Sequence, residues 1–187
     1  MNWKGYWLIG CAMAALGVFG AAAPVVGHGG ASGVVKERME LMERYEELAD
    51  RLFAMAHGEL PYSQSVVRNA AAELRETSGG DLVGLFPEGS LREPSEASPK
   101  IWEDSVSFSH FADLLRDFAT LLEENPAPSS DPSLLPRKWE DVPVMGGMMH
   151  SGGMMGGRNG TSLEAGLWRV AHACNSCHEQ FREDERR

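Results

Sequence analysis

The feature that most constrains this chain is a stripe of apolar residues in its last helical segment, because two cysteines lie on it. Leu163, Leu167, Val170, Cys174, Cys177 and Phe181 recur every three or four residues between about Thr161 and Glu185. That spacing places side chains on one face of an α-helix. Cys174, Asn175, Ser176, Cys177 and His178 spell C-x-x-C-H, which reads as an attachment site for a c-type haem. The two thiols would form thioethers with the vinyl groups, and His178 would reach the iron from the proximal side. On a helix Cys174 and Cys177 share a face, and His178 lies one turn past Cys174. A redox dithiol or half of a zinc site would use the same pair. Zinc needs further ligands, and the only other cysteine, Cys11, is near the N-terminus. A thioredoxin-like pair would sit beside a βαβ pattern, and none is visible. Haem held by core positions of a helix must lie within the helical packing.

Three further segments carry helical periodicity. The first runs from about Gly33 to His57, with Val35, Met39, Met42, Leu48, Ala49, Leu52 and Ala56 recurring and with Gly58 and Pro61 as stops. The second runs from about Ser63 to Thr77, with Val67, Ala70, Ala71 and Leu74 inward, Ser63 as N-cap and Gly79-Gly80 at its end. The third runs from about Lys100 to Glu124. There Phe108, Phe111, Leu115, Phe118 and Leu122 form the clearest stripe in the chain. Thr161 or Ser162 would cap the fourth, with Glu164 close behind. Strand signals are weak. The expected fold is all-α, an antiparallel left-handed four-helix bundle with haem bound covalently to the last helix. Two connectors are long: Asp81 to Pro99, and Asn125 to Gly160. A loop as long as the second is functional or disordered as a rule.

The N-terminus reads as an export signal. Lys4 gives a positive start, an apolar stretch runs from Tyr6 to Val26, and Ala21 and Ala23 form an A-x-A-like cleavage site. Residues 1–23 are therefore expected to be a signal peptide, with an uncleaved anchor as the alternative. Residues 24–187 are expected to form one domain, with a Met/Gly-rich connector at about 143–160. Leu8-Ile9-Gly10-Cys11 resembles a lipoprotein signal, but most of the apolar stretch follows it. Export agrees with covalent haem attachment, which in bacteria takes place outside the inner membrane. The formal net charge of −10 argues against nucleic-acid binding and suits docking to a basic redox partner.

A C-x-x-C-H on the final helix of four resembles the cytochrome c prime family, the class II c-type cytochromes. The similarity extends beyond the motif. Glu179-Gln180-Phe181-Arg182 after His178 looks like the family's ending. Arg38-Met39-Glu40-Leu41-Met42 looks like its first-helix motif. Gly58-Glu59-Leu60-Pro61-Tyr62 looks like the turn before its second helix, and Pro99-Lys100-Ile101-Trp102-Glu103-Asp104 like the start of its third. The resemblance implies that Cys174 and Cys177 hold one haem c and that His178 is the fifth iron ligand. It implies that Arg182 flanks the imidazole, that Met42 faces the other side of the iron, and that Arg38 lies near a haem propionate. Phe86 would wall the distal side. Many members carry a Trp before the third helix, where this chain has Val83.

The resemblance implies a periplasmic electron carrier if the Met42 thioether binds iron, which favours the reduced metal. It implies a five-coordinate protein that takes up nitric oxide or carbon monoxide if Met42 only shields the iron. A flexible core filler is the ordinary role of such a methionine. His57, His110 and His172 are expected to be surface, capping or structural residues. Homodimers through the first two helices are common in the family. No nucleophile–base pair or phosphate loop stands out, so no enzyme activity is expected. Met145, Met148, Met149, His150, Met154 and Met155 crowd the Met/Gly connector. Soft thioethers suit Cu(I), and a linker whose methionines scavenge oxidants is the plainer alternative. Arg182, Glu183 and the residues after them read as a solvated helix end.

Overall fold

The structure is a computed structural model that describes residues 31–144 and 162–183. The expected signal segment with Cys11, the crowded methionines of the Met/Gly connector and residues 184–187 lie outside the described residues. Among the described residues the architecture is helical: α1 (Val34–Ala56), α2 (Gln64–Thr77), α3 (Gly80–Gly84), α4 (Lys100–Glu103), α5 (Ser105–Glu124) and α6 (Leu163–Phe181). The four long helices, α1, α2, α5 and α6, make the bundle. Its centre is α5, packed most extensively on α2 and α6, while α1 closes the ring against α6 and, less, against α2.

Local chemistry explains the boundaries. Helix α1 ends in a glycine turn: Gly58 has φ +73°, its N–H donates to Met55 O, and the Glu59 N–H donates to Ala54 O. This pair of bonds is the Schellman arrangement, which needs a residue tolerant of left-handed backbone. Ser63 and Ser162 occupy the positions before α2 and α6, but neither side chain makes a capping hydrogen bond.

The third segment is not one helix. It breaks at Asp104, whose backbone leaves the helical region at φ −128°, ψ 60°. Its carboxylate accepts from Ser107 N at 3.2 Å and from Gln180 Nε2 at 3.1 Å. A side chain that caps a new helix competes with continuation of the old one. Helix α3 lies inside a stretch expected to be connector. Helix α6 ends at Phe181, the last residue of its stripe, short of the expected end near Glu185. Arg182 forms an isolated bridge with Ala97, and Glu183 N donates to Glu96 O at 2.7 Å. The end of α6 is thus tied to the connector ahead of α4, and Arg182 pairs with Glu96, so this end of α6 is no freely solvated helix tip.

The expected long loop after α5 begins as an ordered strap. Tyr62 Oη donates to Pro126 O, and Glu164 accepts from Ser130 N, Ser130 Oγ and Asp131 N at 3.1, 2.5 and 3.1 Å. His57 Nε2 contacts Pro136 O at 2.9 Å, and His172 Nδ1 contacts Pro143 O at 3.2 Å. A carbonyl only accepts, so each of these ring nitrogens carries its proton. The strap therefore lies along the bundle between the ends of α1 and α6.

Candidate functional site

The stripe on α1 runs Val35, Arg38, Met42, Tyr45, Leu48 and Leu52, and one core position on it is a guanidinium. Arg38 is 2% exposed. Nη1 donates to Ser90 Oγ at 3.1 Å and Nη2 to Ser90 O at 3.0 Å. The guanidinium carbon lies 5.1 Å from the centroid of the Phe86 ring, a cation–π distance. Among the described residues no carboxylate pairs with it, and its Nε is buried without a partner. Burial, then the charge of Arg92, lowers its pKa. A buried cation without a protein anion is costly.

Across from α1, helix α6 presents Cys174, Cys177 and His178. The two cysteines are free thiols. Burial pushes each thiol up to about 12, so both are held protonated. Burial, followed by the charge of Arg182, lowers the pKa of His178. That favours neutral imidazole, the form that binds metals.

Between the two helices lies a cavity of about 590 Å³, lined by Arg38, Met42 and Phe86 on one side and by Cys174, Cys177, His178 and Arg182 on the other. Its size is that of a cofactor site. Every residue singled out for the site in the sequence borders this one cavity. Arg182 is half-exposed and held by Glu96 rather than by the imidazole. Phe86 packs edge-on to Phe108, with ring centroids 5.0 Å apart, and its carbonyl accepts from Trp102 Nε1 at 2.9 Å. Val83 does not line the cavity; it packs on the core beside it.

Two residues of the site escaped the sequence. Tyr45 lines the cavity and bonds Thr77 Oγ1 at 3.0 Å. Trp139, in a 3-10 turn of the strap, also lines it, with its ring centroid 6.2 Å from that of His178 at 67°. Tyr45 lies on the α1 stripe, so helical spacing marks it. No periodicity marks Trp139, because the strap that carries it has none.

The donor set fits a covalently held haem. Two thiols sit one helical turn apart, an imidazole whose pKa burial lowers lies one turn past Cys174, and a cavity with an uncompensated cation suits a group bearing carboxylates. Among the described residues, no three of His, Cys, Asp and Glu gather as an independent metal cluster.

The sequence profile of the family described as Cytochrome C' matches residues 33–142, more than half of the chain. The match ends before α6. Cytochrome c' of Rhodopseudomonas palustris is 26% identical over 166 residues, covering 87% of this chain and 92% of that protein. Cytochrome c-556 of the same organism is 28% identical over 139 residues, covering 72% of each. A solved structure of R. palustris cytochrome c' superimposes with a TM-score of 0.60 at 24% identity, covering 83% of this chain and 99% of that one. At that identity the likeness speaks for the four-helix fold. The chain belongs to the cytochrome c' family, and its prosthetic group is covalent haem c.

Proposed function

We propose that this member of the cytochrome c' family is a periplasmic monohaem electron carrier, with Cys174 and Cys177 as the attachment residues and His178 as the proximal ligand. Met42 is the residue on the distal side. The observation that carries the proposal is that one cavity is bordered by Met42 from α1 and by His178 from α6. Haem, when bound, supplies a one-electron Fe(III)/Fe(II) couple. The chain's part is to hold His178 and Met42 on separate helices of a packed bundle, where they would border the bound haem. Arg38 contributes a buried positive charge, which favours the reduced state. Phe86 and Phe108 keep water from one wall. Arg182, tied to Glu96, closes the end of α6. The net charge of −10 suits a basic redox partner. Export through the N-terminal signal would bring the chain to the periplasm. Among the described residues no helix is long and apolar enough to cross a membrane.

A second reading has one observation in its favour. Met42 is half-buried at the cavity wall rather than fixed in the core, and methionine side chains adapt readily. If its thioether shields without binding, the distal position is open to nitric oxide or carbon monoxide. Absorption spectra of the oxidised and reduced protein, with and without carbon monoxide, separate the two. A sharp low-spin reduced spectrum that ignores carbon monoxide supports the carrier. A broad high-spin spectrum that shifts with it assigns gas binding. Copper binding by the Met/Gly connector is a minor alternative, tested by copper titration and mass spectrometry.

A further inference from the structure

We infer that Trp139 is a positioning residue for the His178 imidazole, and that Asn175, inside the attachment motif, holds it there. This rests on His178 being the proximal ligand. Asn175 Nδ2 donates to Trp139 O at 2.9 Å and to Val142 O at 2.8 Å, with Glu140 O at 3.3 Å. An amide nitrogen has two hydrogens, so the two short bonds use both and Glu140 takes a shared contact. One side chain of C-x-x-C-H thus fixes both ends of the 3-10 turn that bears the indole. His172, one turn earlier on α6, holds Pro143. These two residues flank Cys174 in sequence, and their side chains grip the strap.

The turn delivers the indole to a defined place. Trp139 lines the large cavity and also a void of about 20 Å³ behind it, bordered by Leu52, Leu167 and Ala171. The indole is therefore a partition between the haem cavity and the core, and its ring meets His178 edge-on. Among the described residues, no side chain hydrogen-bonds the His178 ring. The orientation of a ligating histidine is set by what its ring touches away from the metal, and here Trp139 makes such a ring contact.

The test uses the holoprotein and three variants: Trp139→Ala, Trp139→Phe and Asn175→Ala. Two quantities are read: the hyperfine-shifted imidazole and haem-methyl proton resonances of the oxidised protein, and the reduction potential. Trp139→Ala and Asn175→Ala should move the resonances in the same sense and lower the potential, because water gains access to the site. Trp139→Phe should remain near wild type. The double variant Trp139→Ala/Asn175→Ala should change no more than Trp139→Ala alone, since one residue acts through the other. Alanine variants that lose only thermal stability, with resonances and potential unmoved, would overturn the inference. So would effects of the two substitutions that simply add. If Trp139→Ala fails to fold, Asn175→Ala carries the test. A His178→Ala protein with an unchanged absorption spectrum would sink the ligand assignment itself, a separate failure.

Discussion

Arg38 grips Ser90 twice across 52 residues of chain, through Oγ at 3.1 Å and through the carbonyl at 3.0 Å. This contact ties the connector before α4 to the cavity wall of α1. It also leaves a positive charge inside the protein, held by the dipoles of Ser90 and the face of Phe86 with no carboxylate paired to it among the described residues.

Replacing that charge should be felt by the redox centre more than by the fold. Arg38→Met keeps length and removes charge. Its reduction potential should fall by an amount on the order of 1 kcal/mol, or ~40 mV, the scale of one charge in a screened interior. In a haem-free protein carrying Cys174→Ala and Cys177→Ala, the same change should cost no stability, because a buried unpaired cation is no asset there. Spectroelectrochemistry and denaturant unfolding check the two halves. An unchanged potential would remove Arg38 from the site's electrostatics.

Met42→Ala should leave covalent haem content unchanged and alter only distal chemistry. If the thioether is a ligand, the variant's reduced spectrum becomes high-spin and responds to carbon monoxide. Loss of covalent haem from the variant would count against placing Met42 at the distal side.

Glu164 predicts how acid acts on the fold. It is 3% exposed in the first turn of α6. Burial alone would raise its pKa, but the hydroxyl of Ser130 and the N–H groups around it outweigh burial and hold the carboxyl at about 2, against an ordinary 4.5. A folded pKa below the unfolded one gives stability that is complete above 4.5 and lost as pH falls toward 2. The loss across that window should be at most roughly 3 kcal/mol. Glu164→Gln should lower stability at pH 7 and flatten this part of the curve. A variant with the same acid profile as wild type would exclude Glu164 as its source.

Gly166 marks a close approach of α6 to α5. A Cβ there would lie 2.8 Å from Leu122 Cδ1, and Leu122 is 1% exposed. Crowding of that kind costs about 1–3 kcal/mol, against a helix-propensity gain of about 1 kcal/mol for alanine. Gly166→Ala should therefore lower the unfolding free energy by about 1 kcal/mol. A more stable variant would mean that Leu122 finds room to rotate.

Helical spacing and a local motif made much of this legible. Arg38 was marked only by the family resemblance, whereas helical spacing put Met42 on the α1 stripe and C-x-x-C-H placed the cysteines and His178 on one face of the last helix. Both are short-range patterns, in which residues three or four apart share a surface whatever surrounds them. The break at Asp104 carried a signal too, a capping aspartate before Ser105, but the Phe108–Leu122 stripe begins only after it and so does not mark where the helix starts.

What the sequence by itself determined is a set of faces: four apolar stripes, a pair of thiols at helical spacing, a histidine one turn on. What only the tertiary structure decided is which faces meet. Arg38 found Ser90, Arg182 found Glu96, and the aperiodic strap was fixed by Tyr62, Glu164, His57 and Asn175 so that Trp139 reached His178. Those partners lie tens of residues apart. Such contacts depend on the packing of whole helices, and no local period encodes them.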